Sequence, residues 1–290
     1  MDSTVTSVTI EQALQSVARN LKDAGIPSAR LDARVLLAHV LEVPASSLLP
    51  GDQRELSHKQ LHRFDGVARR RLSREPVSHI LGTREFWGRD FAVSKDVLDP
   101  RPDTETLIDA VLNFWPQDKE GRVLDLGTGT GCILLTLLAE RPELTGLGID
   151  QSSSALRMAR GNAASLGVAD RVELQRGDWL VGIREQFDIV VSNPPYIPGA
   201  EIEALEPEVS RFEPRIALDG GQDGMDAYRR ILSALPAVLN RNGRAFFEIG
   251  MGQHDDFAVI AEANGLSILP AHNDLAGIQR VMVVEHARQT

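Results

Sequence analysis

Cysteine and long apolar runs are scarce in this chain of 290 residues, and its basic residues are outnumbered by acidic ones. Its single cysteine, Cys132, excludes a disulfide framework within the chain and any metal site built from several cysteines. No apolar run reaches the roughly 18–20 residues that a membrane-spanning helix needs. The chain begins with acidic Asp2 and lacks the charged and then apolar stretch of a secretory signal peptide, so we expect a soluble, cytoplasmic protein.

Negative charge predominates, but it is unevenly distributed. The chain has 31 Lys and Arg against 41 Asp and Glu, a net charge of −10, which argues against attachment to nucleic acid or anionic membrane by charge alone. Residues 1–85 carry a net charge of +2, whereas residues 86–290 carry −12. Within the first part, residues 58–76 have a local charge of +4. This basic stretch is either a solvated helix face or a docking surface for an acidic partner.

The N-terminal part has the periodicity of a small helical bundle. Thr9 and Gln12 fit a capping box, in which each side chain accepts a hydrogen bond from the backbone of the other residue. Ser57 and Gln60 repeat this pattern in front of a later helix. Apolar residues follow each box at helical spacing. We therefore assign residues 1–83 to an N-terminal helical domain.

The segment that follows has neither helical nor alternating α/β character. Residues 86–93 resemble a short β-hairpin with a turn at Gly88. Pro100 and Pro102 then predict an extended chain, because a proline pushes the residue before it out of helical geometry. We assign residues 84–100 to a hairpin linker and residues 101–290 to a second domain.

Short apolar runs alternate with helical stretches from Gly121 onward. This alternation predicts βαβ units, and therefore an α/β fold with a parallel sheet and helices on both faces. No clear helix joins the last two runs, so we expect an antiparallel edge strand there. The predicted strands are residues 123–126, 144–149, 172–174, 187–191, 245–249, 266–269 and 281–284.

A glycine-rich turn, Gly127-Thr128-Gly129-Thr130-Gly131, lies between the first of these strands and a helix. Glycine allows positive φ and lets a ligand approach the backbone, and ligands bind at the carboxyl ends of strands in open α/β sheets. The GxGxG spacing without a following Lys-Ser/Thr excludes a P-loop and disfavours a dinucleotide fold. The turn indicates a nucleotide-like cofactor or a tight structural turn.

Acidic and aromatic residues follow the next two strands. Asp150 ends the second strand, where an ionised carboxylate can accept hydrogen bonds from both ribose hydroxyls. NAD-binding proteins share that feature, and Asp150 could also cap the next helix. After the third strand, Asp178 could accept from the exocyclic amine of an adenine, and Trp179 could stack on the adenine or pack in the core. Taken together, the three strand ends favour an adenosine-containing cofactor.

The segment Asn193-Pro194-Pro195-Tyr196 directly follows the fourth strand. Neither proline donates a backbone hydrogen bond, so the strand ladder ends there and the Pro194 carbonyl is left without a strand partner. This carbonyl and the Asn193 side-chain oxygen can accept both hydrogens of a planar NH₂ group, while Tyr196 stacks on it. Such positioning turns an encounter into an oriented displacement. The expected electrophile is the sulfonium methyl of S-adenosylmethionine.

These motifs resemble those of the N5-glutamine methyltransferases that modify peptide chain release factors, the PrmC/HemK family. The resemblance covers nearly the whole chain. The segment from Pro100 to Glu105 and the helical N-terminal domain are particular to that family, whereas Asn-Pro-Pro-Tyr is shared with DNA adenine-N6 and other amino methyltransferases. The other shared segments are Phe86-Trp87-Gly88, Gly127–Gly131, Phe212-Glu213-Pro214-Arg215 and Asp219-Gly220-Gly221.

The resemblance implies a class I, Rossmann-like S-adenosylmethionine-dependent methyltransferase domain and an N-terminal bundle that recognises the release factor. The implied reaction transfers a methyl group to N5 of the glutamine in the GGQ motif of class 1 release factors, tunes translation termination and leaves S-adenosyl-L-homocysteine. We expect no metal, no membrane, no direct nucleic-acid partner and a monomer.

The same resemblance implies the site residues, except Asp178, which is assigned from its position at the end of a strand. The predicted cofactor contacts are Gly127, Thr128, Gly129, Thr130, Gly131, Asp150, Asp178, Trp179 and Asn193. The predicted substrate contacts are Asn193, Pro194, Pro195, Tyr196, Arg101 and Glu105, with the catalytic roles assigned to Asn193, Pro194 and Tyr196. Asp99 departs from the family, which usually has an apolar residue there, and we expect a surface change. We expect residues 58–76 to contact the release factor and Cys132 to be a packing residue.

Three other functions fit parts of the pattern. A DNA adenine or RNA base methyltransferase would need a basic track for phosphates, which the −12 of residues 86–290 disfavours. A cofactor-binding regulatory module without catalysis is disfavoured by the intact segment from Asn193 to Tyr196. A nicotinamide oxidoreductase is disfavoured by the glycine spacing and by that same segment.

Overall fold

A computed structural model describes residues 7–287 of the chain. Asp2, which entered the prediction about a signal peptide, lies outside the described residues. The chain divides into two compact units, Met1–Gly82 and Thr83–Thr290. The hairpin that the sequence analysis assigned to a linker therefore belongs to the second unit. Between residues 7 and 287, no helix has both the length and the apolar character needed to cross a membrane.

The first unit is helical. Its core is formed by apolar side chains on one face of each long helix, and Leu21, Leu36, Leu37 and Phe64 are almost completely buried. Its elements in chain order are β1 (Val8–Thr9), α1 (Ile10–Asp23), α2 (Ala29–Leu41), β2 (Glu55–Leu56), α3 (His58–Leu72) and α4 (Val77–Leu81).

Both predicted capping boxes are confirmed. The Thr9 hydroxyl accepts from the Gln12 backbone N–H at 3.3 Å, and the Gln12 side chain accepts from the Thr9 backbone N–H at 3.0 Å. Ser57 and Gln60 make the equivalent pair at 3.3 and 2.9 Å. Each box satisfies backbone donors that the first helical turn leaves unpaired, which is why α1 and α3 begin where they do.

Residues 58–76 are not a uniformly solvated face, and their contact with a release factor stays a prediction. Arg71 is buried, and its Nε lies 2.7 Å from Oδ2 of Asp32 on α2. Arg70 pairs with Glu75 at 2.6 Å. Arg71 therefore joins α3 to α2 and is not available to a partner, whereas the pair of Arg70 with Glu75 is already counted in the local charge of +4.

The second unit contains a seven-stranded sheet, as the α/β prediction required. The strand order is β10-β11-β9-β8-β5-β6-β7, and β3 pairs with β4 in a separate hairpin. The elements are β3 (Thr83–Phe86), β4 (Arg89–Ala92), α5 (Glu105–Phe114), β5 (Gly121–Leu126), α6 (Cys132–Glu140), β6 (Leu144–Asp150), α7 (Ser153–Ser165), β7 (Val172–Arg176), β8 (Phe187–Ser192), α8 (Pro207–Ser210), α9 (Asp226–Val238), β9 (Leu239–Glu248), α10 (His254–Ala263), β10 (Leu266–Asn273) and β11 (Gln279–His286).

Five of the seven strands form a continuous parallel block. Strands β7, β6, β5, β8 and β9 run parallel to their neighbours. The predicted antiparallel pairing of the last two strands is confirmed, and β10 is the edge strand. β11 also pairs with β9 and so lies inside the sheet, which the pattern of apolar runs does not indicate.

The sheet is buried on both faces. Adjacent residues of β9 point to opposite sides, since Phe246 belongs to one apolar cluster and Phe247 to the other. This two-sided burial explains why the strands read as continuous apolar runs. Because β5, β6, β8 and β9 are parallel, the residues that follow them meet at one edge of the sheet.

Candidate active site

The glycine turn after β5 depends on glycine at each alternate position. Gly127, Gly129 and Gly131 have φ values of +74°, +55° and +82°, a region that side chains with a Cβ rarely adopt. The backbone N–H of Gly127 donates to the carbonyl of Ile149 at 2.9 Å and closes the turn against β6. A Cβ on Gly131 would lie 2.7 Å from Cδ1 of Leu135. The turn therefore presents backbone, not side chains, to the space above it.

The two threonines of the turn face inward. The Thr128 hydroxyl donates to Oδ2 of Asp125 at 2.6 Å, and the Thr130 hydroxyl accepts from the backbone N–H of Cys132 at 3.3 Å. Burial raises the pKa of Asp125 to about 7, although the bond from Thr128 opposes this rise. Any cofactor contact by Thr128 or Thr130 would therefore be made by the backbone.

Asp150 connects the glycine turn to the helix after β6. Its Oδ2 accepts from the backbone N–H of Gly129 at 2.9 Å, and its Oδ1 accepts from the backbone N–H of Ser152 at 2.8 Å. Burial raises the pKa of Asp150, and these two bonds oppose the rise. Each carboxylate oxygen retains acceptor capacity, so Asp150 can both fix the turn and accept from hydroxyls of a ligand.

One cleft at the carboxyl edge of the sheet contains most of the predicted cofactor residues. It is lined by Gly127, Gly129, Asp150, Trp179 and Asn193. Trp179 has φ +50°, which is uncommon outside glycine, and a Cβ on Gly127 would lie 3.5 Å from its ring. The tryptophan also packs against the core, so its two predicted roles are compatible. Apolar residues that line the same cleft include Val97, Leu98, Pro214 and Ile216.

Asp178 lies apart from this group. Its Oδ1 accepts from Nε2 of Gln151 at 2.8 Å, and its Oδ2 pairs with Arg230. Asp178 is not among the residues that line the cleft, whereas Gln151 is. Each carboxylate oxygen of Asp178 retains acceptor capacity, so its contact with an adenine amine stays a prediction.

The segment from Asn193 to Tyr196 follows β8 as predicted. β8 ends at Ser192, before both prolines. Asn193 and Pro195 line the cleft, Pro194 is buried, and Tyr196 is half-buried. The end of β8 thus lies beside the glycine turn, at the same edge of the sheet.

Two polar residues that the sequence analysis missed contact this segment. Thr104 accepts from Nδ2 of Asn193 at 3.2 Å and donates to Oε2 of Glu248 at 2.6 Å. The Tyr196 hydroxyl donates to the other oxygen of Glu248 at 3.3 Å. Burial raises the pKa of Glu248 to about 7, against the effect of these bonds and of the nearby charge of Arg280. An acidic residue at the end of an apolar run, as at Asp150, is the signal that could have identified Glu248.

The proline-rich segment before α5 is fixed from two sides. Nη2 of Arg101 lies 2.7 Å from each carboxylate oxygen of buried Glu213, which joins two of the motifs that carried the family resemblance. Glu105 accepts from the backbone N–H of Trp87 at 2.9 Å and so anchors the hairpin. The expectation that Asp99 is a surface residue is wrong: it is only 5% exposed, because this segment is packed within the second unit.

Cys132 has no reactive surroundings. Burial raises the pKa of its thiol to about 12, so the thiol is protonated at neutral pH. This agrees with its interpretation as a packing residue. Within residues 7–287, no cluster of three or more His, Cys, Asp and Glu has the arrangement of a metal site.

Comparisons with known proteins point to one family. The model of the PrmC N-terminal domain matches residues 12–82, and that of the methyltransferase small domain matches residues 93–207. The release factor glutamine methyltransferase of Rhodospirillum rubrum is 46% identical over 277 residues, which cover 96% of this chain and 85% of that protein. The protein of the same name from Cereibacter sphaeroides is 46% identical over 270 residues, covering 93% and 96%.

Solved structures agree at the level of the fold. A methyltransferase from Pyrococcus furiosus has a TM-score of 0.51 and 13% sequence identity, with coverage of 70% of this chain and 91% of that chain. At this identity the likeness concerns the fold alone, and it confirms the Rossmann-like methyltransferase fold of the second unit.

Proposed function

Because this chain belongs to the release factor glutamine methyltransferase family, we propose that it methylates the side-chain amide nitrogen of the glutamine in the GGQ motif of a class 1 peptide chain release factor. One observation supports this most directly. Asn193, the residue suited to holding an amide, lines the same cleft as the glycine turn and Asp150. The acceptor and the methyl donor would therefore meet at one edge of the sheet.

S-adenosyl-L-methionine is the cofactor that we propose for the cleft. The open backbone at Gly127 and Gly129 lets a ligand approach closely. The carboxylate of Asp150 suits the hydroxyl groups of an adenosyl group, and the ring of Trp179 suits its aromatic base. When bound, the cofactor supplies an electrophilic methyl group. The chain's residues hold it and exclude water with the apolar wall around Val97 and Leu98.

The part played by the protein in the reaction is orientation. The Asn193 side-chain oxygen and the Pro194 carbonyl accept the two hydrogens of the glutamine NH₂ group, and Tyr196 lies against its plane. No residue has to remove a proton before attack, since the nitrogen would release one of its two hydrogens to solvent as a proton after the C–N bond forms and the bond between sulfur and the methyl carbon breaks. Holding the nitrogen in line with the methyl group provides the rate enhancement that oriented reactants gain over free ones.

We propose that the N-terminal helical unit recognises the release factor and that the enzyme works as a cytoplasmic monomer. Methylation of a DNA adenine or an RNA base is disfavoured, since residues 86–290 carry a net charge of −12 and would repel a phosphate backbone.

Radiolabelled S-adenosylmethionine and three acceptors test the proposed function. The acceptors are a class 1 release factor, the same factor with its GGQ glutamine replaced by alanine, and duplex DNA. We expect label only in the unchanged factor. Label in DNA, or equal label in the two factors, would contradict the proposal.

A further inference from the structure

A buried chain of hydrogen bonds runs from Asn193 through Thr104 to Glu248. Nδ2 of Asn193 donates to the Thr104 hydroxyl at 3.2 Å, and that hydroxyl donates to Oε2 of Glu248 at 2.6 Å. Oε1 of Glu248 accepts from the Tyr196 hydroxyl at 3.3 Å. Thr104 is 2% exposed and Glu248 is 1% exposed. One buried carboxylate at the end of β9 thus holds both ends of the segment from Asn193 to Tyr196.

The direction of these bonds has a chemical consequence. A threonine hydroxyl has one hydrogen, and here it goes to the carboxylate of Glu248, so the oxygen of Thr104 can only accept from Asn193. The two ends of an asparagine amide are distinguished by their partners. With its NH₂ group turned to Thr104, Asn193 keeps Oδ1 for another donor.

We propose that Thr104 and Glu248 are positioning residues that fix the side-chain amide of Asn193, with its oxygen available to the substrate. The inference rests on the proposed function, in which that oxygen accepts from the glutamine NH₂ group. It assigns Thr104 and Glu248 no contact with substrate or cofactor. Their role is to keep the NH₂ group of Asn193 turned away from the substrate, so that its oxygen faces the NH₂ group of the glutamine.

The ionisation of Glu248 controls the direction in which Asn193, Thr104 and Glu248 donate their hydrogen bonds. A protonated carboxyl could donate to Thr104, whose own hydrogen would then turn toward Asn193 and favour the reversed amide. Burial raises the pKa of Glu248 to about 7, so the ionised form gains population as the pH rises through that value. The groups facing Glu248 from neighbouring elements are Asp103, Tyr196, Tyr228, Cys132 and Arg280, and the guanidinium of Arg280 lies 3.1 Å from Asp274 and 3.3 Å from Asp103.

Thr104 can be tested with a pair of substitutions. Thr104→Val keeps the shape of the side chain and removes the hydroxyl, whereas Thr104→Ser keeps the hydroxyl. We expect Thr104→Val to lower kcat about 10²-fold, the scale of a misplaced reacting group, while KM for the release factor and Kd for S-adenosylmethionine change little. Thr104→Ser should recover most of the activity. Wild-type kcat in Thr104→Val, or equal losses in both variants, would overturn the proposal.

Glu248→Gln tests the carboxylate. The glutamine side chain has one accepting oxygen and one donating NH₂ group in place of two accepting oxygens. Either Thr104 or Tyr196 would therefore face an NH₂ group and lose the acceptor for its hydroxyl hydrogen. We expect kcat of the unchanged enzyme to rise with pH through about 7, and kcat of Glu248→Gln to stay low and flat over the same range. A Glu248→Gln profile that follows the unchanged enzyme would refute the role of the carboxylate.

Asp125 requires a separate control because burial also raises its pKa to about 7. We expect Asp125→Asn to retain the rise of kcat with pH. If Asp125→Asn lost the rise and Glu248→Gln kept it, the titrating group would be Asp125 and the proposal would fail. Failure of the proposed function would look different, since the unchanged enzyme would then leave the release factor unmethylated.

Discussion

Asn193 is the residue on which the proposed chemistry depends most directly. Asn193→Ala removes the side-chain oxygen that would hold the glutamine amide, and we expect kcat to fall about 10²-fold or more, because the nitrogen is no longer aligned. Cofactor affinity should weaken only slightly, since the glycine turn and Asp150 remain. Steady-state methylation and calorimetric titration with S-adenosylmethionine measure the two effects.

The exposed Asn20 on α1 offers a matched control for this substitution. Asn20→Ala removes the same atoms from a helix surface and should leave kcat unchanged. If Asn193→Ala retained near-full turnover, the assigned role of its side-chain oxygen would be contradicted.

The labelling rate of Cys132 tests whether its thiol is protonated in the folded protein. Because burial raises the pKa of its thiol to about 12, we expect very slow labelling by iodoacetamide near pH 8 in the folded protein. Labelling should become rapid in urea, where the thiol is exposed. Mass spectrometry of the Cys132 peptide reports both rates, and rapid labelling before unfolding would disprove the protected state.

The site residues that the sequence predicted best are those with local signals. Asp150 and Asn193 each end an apolar run, and strand order places both at the carboxyl edge. Glu248 gives a similar local signal, but its partner Thr104 lies 144 positions earlier in the chain, and only the parallel pairing of β8 with β9 brings Glu248 to Asn193. The pairing of Asp178 with Arg230 on α9 is another contact that its strand-end position does not reveal.

At the scale of single elements, the N-caps are the features that the sequence predicts most directly. Ser57→Ala removes the acceptor for the Gln60 backbone N–H, and we expect α3 to lose about 1 kcal/mol of stability. Hydrogen exchange of α3 peptides measures the change locally. Ser16→Ala, on the exposed surface of α1, is the control and should produce no such loss; equal exchange in both variants would contradict the importance of the cap.

The pairing of α2 with α3 depends on a buried ion pair. Arg71→Ala would leave the carboxylate of Asp32 buried without its guanidinium, which typically costs about 3–5 kcal/mol. We expect loss of cooperative unfolding in the N-terminal unit, measured by urea titration with hydrogen exchange. Arg69→Ala removes an exposed arginine of the same helix and should change stability by less than about 0.5 kcal/mol. Similar effects of the two variants would show that Arg71 is dispensable.

At the scale of the whole molecule, the alternation of apolar runs was sufficient to predict a parallel α/β sheet. It was insufficient to place the β3–β4 hairpin, because the hairpin is held by residues far along the chain. The backbone of Ala92 exchanges hydrogen bonds with the side chain of Asn162, and the indole of Trp87 donates to Glu140 at 3.1 Å. Contacts over such separations leave no local pattern.

The charge distribution predicts that the enzyme does not bind duplex DNA. Since residues 86–290 carry a net charge of −12, we expect no saturable binding to duplex DNA at about 0.15 M salt. Fluorescence anisotropy with a labelled duplex measures this, and a basic DNA-binding protein of similar size serves as the positive control. Saturable binding would revive the alternative of a nucleic-acid methyltransferase.

The parallel pairing of β8 with β9 has a consequence for protein engineering. Asn193 and Glu248 are fixed at adjoining strand ends, and the pairing of Ser192 with Phe247 sets their relation. The crossover between these strands, residues 197–238, has two fixed anchor points, and its last helix, α9, belongs to the core, where Tyr228 and Ile231 are fully buried. Exchanging only residues 200–211, which precede Glu213 and do not line the cleft, for the equivalent loop of a relative should present a different surface to the acceptor while the residues around Asn193 stay in place, which makes it the first place to graft new substrate selectivity.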